Sequence, residues 1–269
     1  MAPSPLMTVM IGAARKAARS LNRDFGEVEQ LQVSVKGPAN FVSAADHKSE
    51  EVLFQELSKA RPGYGFLMEE RGKVDGSDTT HRWIVDPLDG TTNFLHGVPL
   101  FSISIGLERD GQMIAGLVYN PVMDEMFMAE KGKGAFYGDR NGRERRLRVA
   151  ARKTLDDCLI TMGIPHRGRP QHDRFIAEAT GVMKTVAGLR RTGSAALDLA
   201  WVAAGRFDAY WEHALGAWDT AAGIVLVREA GGIVSDLEGG ESIFSTGGIC
   251  AGNQTIQKAL VESLKVARG

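Results

Sequence analysis

Asp86 and Asp89 stand three residues apart across Pro87-Leu88, and Gly90, Thr91 and Thr92 follow directly. Two carboxylates flanking a tight turn make an oxygen-donor site for a hard cation such as Mg²⁺. The glycine and threonines behind them supply hydroxyls and backbone N–H groups, which suit an anion. A cation site touching an anion site is what metal-assisted phosphate chemistry needs. The apolar run Trp83-Ile84-Val85 reads as a strand that ends in Asp86, with Pro87 stopping regular pairing. On this stretch alone a plainer reading stays open: a turn with capping acids.

Other acids stand in comparable places. Phe66-Leu67-Met68 is a second apolar strand, and it runs into Glu69-Glu70-Arg71. Alone, that pair is also what two solvated loop glutamates look like. Asp219, in Ala217-Trp218-Asp219-Thr220, precedes an apolar helix and alone reads most simply as an N-cap. Together, Glu69, Asp86, Asp89 and Asp219 sit at strand ends or a helix start and can converge on one site. Two Mg²⁺ ions about 3.5–4 Å apart share a bridging carboxylate. Asp86 is placed to bridge, and the Leu88 carbonyl, turned by Pro87, offers a neutral ligand.

The elements that must position these groups follow from periodicity. Met7, Met10, Ile11, Ala14, Ala17, Ala18 and Leu21 recur at helical spacing. A second helix is predicted from Ala44 to Ala60, with Ser43 and Asp46 as a capping-box pair and Arg61-Pro62-Gly63 ending it. Phe101, Ile103, Ile105 and Leu107 alternate with Ser102, Ser104 and Gly106, and Asp110-Gly111 marks a hairpin into Met113–Tyr119. Short strands follow at Glu125–Ala129 and Gly134–Tyr137. After residue 150 strands (Asp157–Met162, Phe207–Trp211, Gly232–Ser235) alternate with helices (His172–Met183, Ser194–Ala204, Ala221–Ala230, Asn253–Val266). This order predicts an α+β fold: a helix-flanked antiparallel sheet over 1–150, and a smaller mixed α/β layer over 151–269 that supplies Asp219.

Composition bounds the function. The 269 residues carry a net charge of −1, so no global field draws the chain to nucleic acid or to a membrane surface. No stretch approaches 18 apolar residues, and the first 20 residues lack signal-peptide order. Cys158 and Cys250 lie far apart in apolar stretches, outside any metal or redox motif, and read as buried thiols in a reducing cytosol. The basic run Arg140–Arg148 reads as a solvated hairpin. Trp83, Trp201, Trp211 and Trp218 read as core anchors, and His96 and His213 as rim residues.

Three blocks, FLMEERG at 66–72, WIVDPLDGTTNF at 83–94 and WDTAAGIVLVREAGG at 218–232, resemble the inositol monophosphatase family of Mg²⁺-dependent, lithium-sensitive phosphatases. The likeness extends through KGPANFVSAAD at 36–46 and RRTGSAALDLA at 190–200 and is nearest to bacterial members of the SuhB type. It implies a layered αβαβα sandwich and two or three Mg²⁺ ions per site. Glu69, Asp86 and the Leu88 carbonyl correspond to ligands of a first metal, and Asp86, Asp89 and Asp219 to ligands of a second. Glu69 also corresponds to a third, mostly water-mediated site. Glu69 and Thr91 correspond to the groups that activate the attacking water, with Lys36 and Asp46 nearby; Asp46 equally serves as a helix cap. Gly90, Thr91 and Thr92 correspond to the phosphate cradle, and Gly193, Ser194 and Ala195 to the pocket lining. Glu212, seven residues before Asp219, corresponds to an acid that binds substrate hydroxyls, although a plain strand-end acid also fits that position. Met68 departs from the glycine or threonine common before the acid pair, with little consequence expected.

The resemblance implies hydrolysis of myo-inositol monophosphate by direct in-line attack of water, without a phosphoenzyme, in a cytoplasmic homodimer. The rivals are a fructose 1,6-bisphosphatase, a nucleotide 3′-phosphatase or a histidinol phosphatase of the same superfamily. A haloacid-dehalogenase mechanism needs D-x-D-x-T, which Asp86-Pro87-Leu88-Asp89 does not provide. A regulatory role alongside catalysis is a third alternative, since SuhB-type relatives are associated with transcription complexes on ribosomal RNA operons; direct nucleic-acid binding is not expected.

Overall fold

The computed structural model describes residues 3–25, 33–37, 40–138 and 144–269, with backbone alone for 33–37 and 40–42. Two helices open the chain, α1 (Pro5–Phe25) and α2 (Ala44–Ala60), with a small hairpin of β1 (Val33–Gly37) and β2 (Asn40–Ser43) between them. The capping box of α2 forms as expected: the Ser43 hydroxyl accepts from Ala45 N–H, and Asp46 accepts from Ser43 N–H.

The main sheet has eight strands: β3 (Tyr64–Met68), β4 (Gly72–Val74), β5 (Asp78–Asp89), β6 (Ser102–Arg109), β7 (Gln112–Asn120), β8 (Glu125–Glu130), β9 (Gly134–Gly138) and β10 (Glu144–Arg146). Their spatial order is β10-β9-β8-β7-β6-β5-β3-β4. All pairs are antiparallel except β3 with β5, which run parallel. That parallel pair sends the ends of β3 and β5 to the same edge, which brings Glu69 beside Asp86. Pro87 does not end the strand as expected. Pairing resumes at Asp89, opposite Ser102, after a one-residue bulge between Asp86 and Asp89. Pro87 is accommodated there because a bulge frees it from donating to the ladder.

The second sheet has five strands, β11 (Leu159–Met162), β12 (Gly188–Arg190), β13 (Ala209–Glu212), β14 (Ile233–Ser235) and β15 (Ile249–Gly252), in the order β12-β11-β13-β15-β14. It is mixed, with parallel pairs around β11 and antiparallel pairs around β15. The short strands β4, β12 and β15 escape the sequence reading, because three or four residues give a period-2 pattern too little length.

Five layers result. α1 and α2 cover one face of the large sheet through Leu21, Leu53, Trp83, Val85 and Ile105. α5 (Ala195–Ala203) and α6 (Ala217–Glu229) fill the space between the sheets with Ile84, Val118, Leu199 and Val225. α4 (His172–Met183) and α8 (Gln254–Arg268), which follows the short helix α7 (Ile243–Thr246), close the outer face of the small sheet over Trp211, Ile256 and Leu260. This is the αβαβα order expected.

The serine-and-glycine face of β6 is buried rather than wet. A Cβ on Gly106 would stand 2.9 Å from Ala221 Cβ, and one on Gly116 would stand 2.4 Å from the Ala222 carbonyl. The missing side chains let α6 settle directly on the sheet, and Ser104 donates to the Trp218 carbonyl at 3.1 Å. That close seat carries Asp219 to the end of β5. Among the described residues no helix is long and apolar enough to cross a membrane. Both cysteines are buried and free.

Candidate active site

Asp86, Asp89 and Asp219 each point one carboxylate oxygen into a common space, and these oxygens lie within 4.8 Å of one another. Each is aimed by a local device. The bulge turns Leu88 N–H back onto Asp86 Oδ1 at 2.9 Å. Asp89 Oδ2 is held by the Ser194 hydroxyl at 2.6 Å and by Ala196 N–H at 2.8 Å, from the start of α5. Asp219 is not the N-cap of its helix. α6 starts at Ala217, two residues earlier, and Asp219 in the first turn accepts Gly216 N–H at 2.7 Å.

Electrostatics make the cluster costly without a cation. Burial raises the Asp86 pKa well above its ordinary value, and Glu69, Asp89 and Asp219 add like-charge repulsion. Asp219 is raised in the same way by burial, then by Asp89 and Glu69. Burial pushes Asp89 up to about 6, against the hydrogen bonds from Ser194, Ala196 and Ala195. Converging, buried carboxylates with an all-oxygen donor set fit a hard divalent ion such as Mg²⁺. Glu69 stands in the same field, and its loop is held by Glu50 of α2, which accepts Glu70 N–H at 2.9 Å and Arg71 N–H at 3.2 Å.

The glycine–threonine turn adjoins the acids. Gly90 has φ +93°, in the left-handed region that favours glycine, and leads into the short helix α3 (Thr91–Leu95). The first N–H groups of a helix lack intrahelical acceptors. A Cβ on Gly90 would lie 3.2 Å from the Gly193 carbonyl, so the two glycine loops meet. Asn93 ties them together by donating to the Leu100 carbonyl at 2.6 Å and the Thr192 carbonyl at 2.8 Å. Thr91 Oγ1 lies 3.0 Å from Asp46 Oδ1 and 3.1 Å from the Leu88 carbonyl. Asp46 is therefore a cap that also reaches the site. Its pKa is raised by burial, against the bonds from Ser43 and Thr91. Lys36 lies in β1, and its side chain falls outside the described part of the structure.

A cleft of about 170 Å³ opens from the acids; Asp89, Gly90, Thr91, Thr92 and Asp219 form its floor. Glu212, at the end of β13, enters from the other side along with Gly193 and Ala195. Tyr210 donates to Glu212 Oε2 at 2.5 Å. Burial pushes Glu212 up to about 7, offset by the Tyr210 bond and by Arg169 and Arg191. A Cβ on Gly163 would fall 1.7 Å from Glu212 Cδ, so residue 163 must lack a side chain for Glu212 to sit there.

The sequence reading missed Gly163, His166, Arg169, Tyr210 and Arg191. His166 and Arg169 form the basic stretch PHRGRP, whose position between β11 and α4 was the available signal. His213 is a correction: it turns away from the cleft and meets Glu178 in α4. Trp83 and Trp211 are fully buried, as core anchors should be. Of the basic run 140–148, residues 140–143 lie outside the described residues.

Residues 2–267 match the model of the inositol monophosphatase family. An inositol-1-monophosphatase of Mesorhizobium japonicum is 61% identical over 265 residues, 98% of each chain. The Nus factor SuhB of Escherichia coli is 39% identical, over 97% of this chain and 96% of that one. The crystal structure of the extragenic suppressor protein SuhB from Bartonella henselae superposes with a TM-score of 0.93 at 57% identity, covering 97% of this chain and 99% of that one. With the match running along nearly the whole chain and the five-layer fold shared, the chain belongs to the inositol monophosphatase family.

Proposed function

We propose that the chain is a Mg²⁺-dependent phosphomonoesterase that hydrolyses myo-inositol monophosphate to myo-inositol and phosphate. The observation that carries this reading is the meeting of Asp86, Asp89 and Asp219 within 4.8 Å, beside the Gly90–Thr92 turn. Glu69, Asp86 and the Leu88 carbonyl would hold one cation, and Asp86, Asp89 and Asp219 another. Bound there, Mg²⁺ supplies positive charge to the phosphate and the leaving oxygen and acidifies water near neutral pH.

The chain's own groups then do the rest. Gly90, Thr91 and Thr92 N–H groups cradle the phosphate oxygens, whose charge spreads in the transition state. The Thr91 proton is directed at Asp46 or the Leu88 carbonyl, which leaves a Thr91 lone pair to accept from the attacking water. Glu69 takes the water's proton. On the far side Glu212 accepts hydrogen bonds from ring hydroxyls, and Gly193, Ser194 and Ala195 shape the wall. The family resemblance also supports a homodimer in the cytoplasm.

The test is a panel of phosphate esters with released phosphate measured. Myo-inositol 1-phosphate should be hydrolysed faster than fructose 1,6-bisphosphate or a nucleoside 3′-phosphate. A better rate on fructose 1,6-bisphosphate would overturn the choice of substrate while leaving the metal site intact.

A further inference from the structure

Adjacent strand residues point to opposite faces of a sheet. On β13 this puts Tyr210 and Glu212 toward the cleft, and sends Trp211 and the following His213 toward α4 and α8. There His213 Nε2 stands 2.6 Å from Glu178 Oε2. The Glu178 side chain is 0% exposed and that of His213 10%. Arg174 donates to Glu178 Oε1 at 3.1 Å, and Arg268, near the end of α8, has its Nε 3.4 Å from the same oxygen. Burial opposes the Glu178 charge, yet His213 and Arg174 more than offset it and its pKa is lowered. A fully buried carboxylate with an imidazole and two guanidinium groups around it is a fixed point, because removing one partner leaves charge uncompensated.

The chain beyond this point needs fixing. Ala214 takes φ +57°, a left-handed conformation that costs a non-glycine residue strain. Leu215 N–H then donates to the Gly247 carbonyl at 2.8 Å, and Gly216 N–H to Asp219. Glu212 and Asp219 are thus joined by a short, strained loop. Its downstream half is held by hydrogen bonds from the Leu215 and Gly216 N–H groups, and its upstream end by the pairing of Glu212 with Ile249 and by the His213 side chain.

We propose that His213, through its hydrogen bond with Glu178 behind the sheet, is a positioning residue that sets where Glu212 meets the substrate. The inference rests on the reading of Glu212 as the hydroxyl-binding acid. It makes polyol affinity depend on α4 and α8, neither of which reaches the reacting phosphate.

The test compares myo-inositol 1-phosphate with p-nitrophenyl phosphate, which has no hydroxyls for Glu212, in the full chain with saturating Mg²⁺. His213→Leu is expected to raise KM for inositol 1-phosphate roughly fivefold to tenfold, the size of one ordinary hydrogen bond weakened by misplacement. Its kcat and its KM for p-nitrophenyl phosphate should stay within about twofold of the parent. Glu178→Gln keeps an oxygen acceptor for His213 and should hold KM near the parent value, whereas Glu178→Leu should match His213→Leu. If His213→Leu does not fold, His213→Asn, which shortens the donor, must show the same selective rise. An unchanged KM for inositol 1-phosphate in a folded variant, or equal losses on both substrates, would overturn the proposal. Glu212→Ala separates the two readings. If that variant leaves KM for inositol 1-phosphate unchanged, the assignment of Glu212 fails. If it raises KM while His213→Leu does not, only the positioning role fails.

Discussion

The end of β5 and the end of β13 face each other across one cleft, and they are assembled in different ways. At the end of β5, Asp86 to Thr92 form one unbroken stretch in which Leu88 N–H turns onto Asp86 and Thr91 onto the Leu88 carbonyl. Ser194 and Ala196 add distant support to Asp89. At the end of β13, Glu212 depends on a hydroxyl from Tyr210, an absent side chain at Gly163, and a neighbour anchored to another layer. On the proposed function, the reacting end is built mostly from contiguous residues with like charges forced together, which a cation would balance. The recognising end is then built from scattered residues that hold one carboxylate still. Damage to the first should remove chemistry for every substrate; damage to the second should remove preference.

The largest effect is expected from Asp89→Asn. The amide keeps the shape but removes a charge from the cation site, and turnover should fall about 100-fold or more on any phosphate ester. The fold should survive, because the substitution also relieves repulsion with Asp86 and Asp219. Mg²⁺ should raise the melting temperature of the parent, since a ligand that binds only the folded state stabilises it by about 2.7 kcal/mol at 100 times its Kd. The rise should shrink in Asp89→Asn; near-normal activity there would sink the metal assignment.

Gly163→Ala comes next. The added methyl would overlap the Glu212 carboxylate, so Glu212 must move. KM for inositol 1-phosphate should rise about tenfold or more while the rate on an aryl phosphate changes much less. A smaller effect is expected from Tyr210→Phe, which removes one neutral donor worth about 0.5–1.5 kcal/mol, a loss of roughly 2- to 12-fold in affinity. The smallest is the response to pH. Burial holds the Glu212 pKa near 7, so acidification protonates it and removes acceptor capacity. KM for the polyol substrate should therefore increase as pH falls through this region. Tyr210→Phe should move the inflection upward, because the hydroxyl normally lowers that pKa.

The same contrast explains what could be read in the chain before its structure. Helix α1 was legible because its apolar spacing repeats over several turns, and α2 because Ser43 and Asp46 make a capping box and Arg61-Pro62-Gly63 ends it. The β5 site was legible because its ligands are neighbours in sequence. The bulge that carries the strand past Pro87 was not, since proline ordinarily ends a central strand. The Ser/Gly face of β6 gave no hint that α6 would lie on it; small residues look the same whether they face water or a closely packed helix. Gly163 and Tyr210 are ordinary residues in a strand context, and their meaning appears when β11 and β13 pair in parallel. His213 was misplaced because nearness to Glu212 along the chain says nothing about which face of the sheet it takes.

The most direct measurement is the selectivity of two variants, Asp89→Asn and Glu212→Ala, scored as kcat/KM on myo-inositol 1-phosphate relative to p-nitrophenyl phosphate at saturating Mg²⁺. The account predicts that Asp89→Asn loses both activities together, leaving the ratio nearly unchanged, and that Glu212→Ala lowers the ratio about tenfold or more. A parent-like ratio in Glu212→Ala, or an Asp89→Asn enzyme that keeps either activity, would contradict it.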